Sequence, residues 1–202
     1  MPSLGSGHMR NIKKYEIKID GETPVIFNRM KKENEDEKKK LRKDELSEWE
    51  EKNWLKKAEF NGNSTVVMPT EWIKSMLLNA CKQTKMVPHF ATTKKATYTR
   101  YFQSVLIPPK PPILLGKKKE LVPHGGYYPA QGTRKTGGKV WKVFPKMEKW
   151  SVTFNLVDPF GRMKKAELKE LIEYGGMFIG LGDQRAMNFG RFDIDYVKEI
   201  KE

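Results

Sequence analysis

The sequence predicts an α+β fold of the ferredoxin-like (split βαβ) kind, extended by a charged helical arm and a long basic insertion. Three observations predict it. Several segments alternate polar with apolar residues, as half-buried strands do. Two segments instead carry apolar residues at helical spacing. With the arm and the insertion set aside, the order is strand, helix, strand, strand, helix, strand.

A chain of 202 residues fits one domain with insertions. Residues 1–8 read as the remnant of an expression linker, because Gly5, Ser6, Gly7 and His8 before Met9 are common linker chemistry. Residues 9–202 are then a single domain. In Lys13–Ile19, Tyr15, Ile17 and Ile19 share one face of a strand. Asp20 and Gly21 signal a turn, and Thr23–Asn28 continues as an apolar stretch. Lys31–Lys57 holds ten Lys or Arg and nine Asp or Glu with few apolar residues between them, which predicts a solvated helix or a partly mobile arm.

Asn61, Gly62 and Asn63 mark a turn, and Val66–Met68 is a short extended run into Pro69. Thr70 is placed to cap a helix over 71–85, whose apolar face is Trp72, Ile73, Met76, Leu77 and Ala80. Thr97–Ile107 is rich in aromatic and β-branched residues and predicts a strand. Residues 108–145 show no period of useful length, which points to a functional insertion or disorder. Trp150–Val157 alternates as a strand, Lys164–Tyr174 is a helix ended by Gly175 and Gly176, and Arg191–Val197 is the last strand.

The formal net charge is +14. The arm is nearly balanced, so the excess lies on the rest of the chain. Such a charge speaks to polyanionic partners rather than to fold. A membrane partner is not expected, because no window approaches the roughly 18 apolar residues of a spanning helix. The single cysteine, Cys81, excludes an internal disulfide and a Cys-based metal cluster, and reads as a small buried residue. With no secretory signal in view, the expected setting is the cytoplasm, and no cofactor is called for.

The strongest local motif is the glycine-bounded loop Gly180–Gly190. Gly180, Gly182 and Gly190 permit positive φ and close backbone approach, and Arg185 and Arg191 add cations. Such a loop can offer amides to a phosphate. It is not a dinucleotide or P-loop fingerprint: it follows a helix and opens a strand, and it lacks the P-loop lysine.

A helix followed by Gly180-Leu181-Gly182, then Arg185, then Phe189-Gly190-Arg191-Phe192 and a terminal strand, resembles the C-terminal glycine-rich loop of the RAMP superfamily. These are ferredoxin-like RNA-binding subunits of CRISPR effector complexes. Gly21–Asn28 is similar to the superfamily's opening strand, and Val67–Leu77 resembles its segment at the first helix. The set is also similar to a group of uncharacterised phage and prophage proteins, which implies a phage or mobile-element origin. The resemblance implies backbone gripping of a single strand, an insertion used as a thumb, and self-assembly along the strand.

The insertion supplies the second constellation. Ten Lys or Arg and two acids lie in residues 110–149, with Tyr127, Tyr128 and Trp141 among them. Cations track phosphates and rings stack bases. Lys117, Lys118, Lys119, Arg134, Lys135, Lys139 and Lys142 are expected to form a funnel that converges with the loop amides into one groove. A third cluster, Lys94, Lys95, Tyr98, Arg100, Tyr101 and Phe102, sits near the second predicted strand, on a sheet face open to bases or covered by helices.

The expected function is therefore sequence-tolerant binding of single-stranded RNA or DNA without catalysis. A rival reading makes His124 the general base of a metal-independent endoribonuclease. Another makes the chain a docking, assembly or decoy subunit of a CRISPR or replication complex. Asp193 and Asp195 share a strand face but have no third ligand in sight, so they read as a solvated edge rather than a metal site.

Overall fold

The computed structural model describes residues 12–200 except 43, 63, 92–97, 109–111 and 130–137. Residues 1–8, Lys94, Lys95, Arg134 and Lys135 lie outside the described residues. The class is α+β, with three small antiparallel sheets.

The core sheet has β1 (Lys13–Gly21) at its centre, flanked on either side by β8 (Ser151–Asp158) and β9 (Phe192–Ile200). Both neighbours run antiparallel to β1. Tyr15, Ile17 and Ile19 are fully buried, as their alternation predicts, and Val152, Phe154 and Leu156 join them from β8. Two helices cover this face, α3 (Thr70–Thr84) and α5 (Lys165–Tyr174), and their apolar residues belong to the same core. Cys81 is buried in that core, where burial pushes its thiol up to about 12.

The predicted second strand of the βαβ unit is corrected. Most of Thr97–Ile107 is a helix, α4 (Tyr98–Ser104). Only Leu106 keeps the strand's role, as a single antiparallel bridge to Val157 at the edge of β8. Its amide donates to the Val157 carbonyl at 3.0 Å, and its carbonyl accepts from the Val157 amide at 2.8 Å. The helical solution wins because it buries Tyr98 and Phe102 together, with Tyr98 donating to Glu167 at 2.6 Å and Tyr101 donating to the buried Asp158. These rings pack inward under the helices, so they are not a sheet-face platform.

The insertion is also more regular than its sequence predicts. β5 (Ile113–Lys117) joins a sheet with β3 (Glu59–Asn61) and β4 (Thr65–Met68). β6 (Leu121–Pro129) and β7 (Lys139–Met147) form a long antiparallel hairpin, paired from Leu121–Met147 out to Pro129–Lys139. The short β2 (Val25–Ile26) lies on the other edge of β7.

The arm folds as α1 (Lys32–Lys39) and α2 (Leu46–Asn53), followed by a 3₁₀ turn over Trp54–Lys57. It is docked rather than wholly solvated. Glu50 and Lys57 are buried as an ion pair against β7. There the Val143 amide donates to Glu50 at 2.9 Å, and the Val143 carbonyl accepts from Lys57 at 2.6 Å. The charge pair thus occupies both backbone groups that a neighbouring strand would take.

Two smaller corrections concern helix ends. Thr70 is the first helical residue and makes no side-chain cap; Pro69 precedes it in an extended conformation. Gly175 and Gly176 do not break α5, because the chain continues as one π-helical turn over Gly175–Ile179. A Cβ at Gly176 would overlap the Phe192 carbonyl, so close packing on β9 explains the glycine. No helix among the described residues is long and apolar enough to cross a membrane.

Candidate nucleic-acid interface

The hairpin positions its rings by strand alternation. Tyr127 lies directly opposite Trp141, and their centroids are 5.1 Å apart in an edge-to-face pair. Tyr127 is 70% exposed, so its ring is largely free for contact. Trp141 lies over Gly125, where a Cβ would sit 2.6 Å from the indole. Glycine there lets the ring lie flat along the strand. The indole N–H of Trp141 is shielded and has no hydrogen-bond partner among the described residues. Lys139 falls on this same face by alternation and is exposed.

The opposite face of the hairpin meets the glycine-rich loop. Tyr128 donates from its hydroxyl to Gln184 at 3.2 Å, and its ring meets Phe144 edge-on. The His124 ring packs on Phe189 with centroids 5.2 Å apart. Burial, then the Lys146 ammonium, push the His124 imidazole below its ordinary value. Lys142 shares this face, opposite Gly126.

The loop itself departs from the expectation of bare amides. Gly180, Gly182 and Gly190 adopt φ of 75°, 78° and 72°. The Gly190 amide donates to Pro24 at 2.8 Å, Leu181 to Gly190 at 2.9 Å, and Asp183 to Ile26 at 2.9 Å. Arg191 donates its amide to the Thr23 hydroxyl, and Gln184 to the Asp183 carboxylate, both at 2.8 Å. Glycine is required because the backbone closes on β2: a Cβ at Gly182 would lie 2.6 Å from the Ile26 carbonyl, and one at Gly190 would overlap that of Leu181. The loop therefore braces the hairpin from below, with most of its amides already engaged.

Its arginines face a different direction from the rings. Arg185 and Arg191 line an open groove of about 520 Å³ with Asn79, Gln83, Gln184 and Phe178. Arg191 Nη2 donates to the Arg185 carbonyl at 3.3 Å, while Nη1 is shielded and unpartnered among the described residues. Lys118 lines another groove, and its ammonium lies 5.5 Å over the Phe60 ring. Lys117 and Lys119 are exposed beside it at the base of the hairpin. Arg185 and Arg191 thus line one groove and Lys118 another, while Lys139 and Lys142 lie on opposite faces of the hairpin.

Sequence reasoning missed Asn79, Gln83 and Phe178. Asn79 and Gln83 stand four apart on α3, beside its apolar face, a polar pair that could have marked a lined surface. Asp195, read as a solvated edge, pairs with Lys18 at 2.7 Å.

The sequence matches no protein-family model and no curated protein. Among solved structures, the chain is similar to one in the cryo-EM structure of the Type III-B Cmr-beta bound to cognate target RNA. The TM-score is 0.55 at 11% identity, over 95% of this chain and 61% of that chain. The protein therefore spans about three fifths of the length of its structural neighbour. The similarity is one of fold.

Proposed function

We propose that the protein binds single-stranded nucleic acid, RNA first, and performs no chemistry on it. The observation that carries this reading is the Tyr127–Trp141 pair, with Tyr127 exposed and Trp141 partly buried, on a regular, basic hairpin held against the glycine-rich loop. Aromatic faces stack bases of any sequence, and neighbouring cations take up phosphates. Lys139, on the face that carries the rings, supplies one such cation, and Arg185 and Arg191 line a separate groove on the far side of the loop. The similar fold of a chain in an RNA-bound Cmr-beta structure supports RNA as the first polyanion to try.

The test is equilibrium binding of a labelled single-stranded oligouridylate to the protein and to Tyr127→Ala and Trp141→Ala. Each substitution is expected to weaken binding by about 1–3 kcal/mol, the worth of one stacked base. Binding that is indifferent to both rings contradicts the proposal. The RNA is expected to stay intact during the incubation, and equally so with His124→Ala; metal-free cleavage that His124→Ala abolishes would assign the endoribonuclease role instead.

A further inference from the structure

We infer that the groove between the arm and the β3–β4–β5 sheet is a second nucleotide subsite, which takes a base and its phosphate from the strand held on the hairpin. The inference rests on the binding function proposed above and adds a place that the rings and the glycine-rich loop do not include. The groove is open, about 720 Å³, and built from two separate parts of the chain. Leu55, Ala58, Phe60 and Val67 supply an apolar floor, and Asn34 and Asn61 bring carboxamides to the rim. This pairing of a ring and apolar wall with a few polar groups is the usual make-up of a site for a flat heterocycle.

The rim charge selects an anion. Lys31, Lys56 and Lys118 all line the groove. Lys56 is engaged by Glu37 at 3.0 Å. Lys31 and Lys118 have no ion-pair partner among the described residues. The one carboxylate lining the groove, Glu59, is paired at 3.2 Å with Arg29, which also holds Glu71 at 3.3 Å. Two such ammonium groups over a ring-bearing floor match a phosphate attached to a base better than they match an apolar peptide. The Lys118 ammonium, 5.5 Å over the Phe60 ring, puts the cation and the ring of the groove next to each other.

Position ties the groove to the hairpin. Lys118 and Lys119 lead through Glu120 straight into Leu121, where β6 begins. From Leu121 to Tyr127 the strand rises about 20 Å. A single strand long enough to cover that distance reaches both places, and a shorter one reaches only one of them.

The experiment uses the full chain and oligouridylates of increasing length, some carrying 4-thiouridine for cross-linking. The native protein is expected to gain affinity when the oligomer becomes long enough to span both places, and cross-links should then appear at Phe60 or its neighbours. Phe60→Ala and Lys118→Glu are expected to remove that gain, roughly tenfold, while leaving the shortest oligomers unaffected. Lys118 is exposed, so its variant keeps the test open if Phe60→Ala folds poorly. Lys165→Glu, on α5, controls for the loss of one cation anywhere. If long oligomers bind the groove variants as they bind the native chain, and cross-links stay on the hairpin, the subsite is refuted while the hairpin function stands. If an acidic peptide binds the native chain tightly and loses that binding in Phe60→Ala, the groove belongs to a protein partner and the inference is overturned. If the native chain binds no oligomer of any length, the hairpin function fails first and the subsite with it.

Discussion

Tyr127 and Trp141 show how single residues divide between stability and contact. Tyr127 is mostly exposed, so Tyr127→Ala should leave the urea midpoint nearly unchanged while weakening strand binding. Gly190 is the opposite case. Its φ of 72° and the Leu181 carbonyl beside it leave no room for a methyl group. Gly190→Ala should cost at least about 1–3 kcal/mol, read as a fall in the urea midpoint. A midpoint within error of the native protein's would show that the loop is not the brace described. The loop glycines are legible in the sequence as positive-φ positions, because few other residues tolerate that backbone. Their engagement is not, because the acceptors on Pro24 and Ile26 lie near the opposite end of the chain.

At the scale of elements, β1, α3, β8, α5 and β9 follow from periodicity, since each buries one face against the same core. α4 was hidden by composition. Its aromatic residues favour strands in isolation, yet Tyr98, Tyr101, Phe102 and Val105 fall at positions i, i+3, i+4 and i+7, which is helical spacing. The hairpin was hidden by Pro123, Gly125, Gly126 and Pro145, which interrupt its alternation. The arm was hidden because Glu50 and Lys57 look like surface residues until β7 gives them partners.

That docking makes two predictions. Lys57→Met leaves the buried Glu50 short of a cation and the Val143 carbonyl without its donor. Breaking one side of a buried pair typically costs about 3–5 kcal/mol, so the urea midpoint should fall strongly and Trp49 should become more accessible to a fluorescence quencher. The pH dependence has a definite sign. Burial raises the Glu50 carboxyl, but hydrogen bonds from Lys38, Lys57 and the Val143 amide outweigh it and hold the group below the usual carboxylate range. A depressed carboxylate contributes fully above its unfolded value, about 4.3, and loses that contribution as pH falls through the folded value. Quenching of Trp49 should therefore rise below about pH 4, and the step should be smaller in Glu50→Gln. A Trp49 signal that is flat through this range would contradict the docked arm.

Over the whole molecule, a ferredoxin-like core carries the hairpin, the arm docks on the hairpin's β7, and a net charge of +14 favours a polyanion. Charge alone would bind any nucleic acid. Under the proposed function, the Tyr127–Trp141 pair would single out an unpaired strand, because bases in a duplex are already stacked. The most direct measurement is a titration of single-stranded RNA, single-stranded DNA and a duplex of one sequence across a salt series. The account predicts tightest binding to a single strand at every salt, with log affinity falling linearly against log salt at a slope of about −0.7 per phosphate engaged. Equal affinity for the duplex, or no binding at low salt, would contradict it.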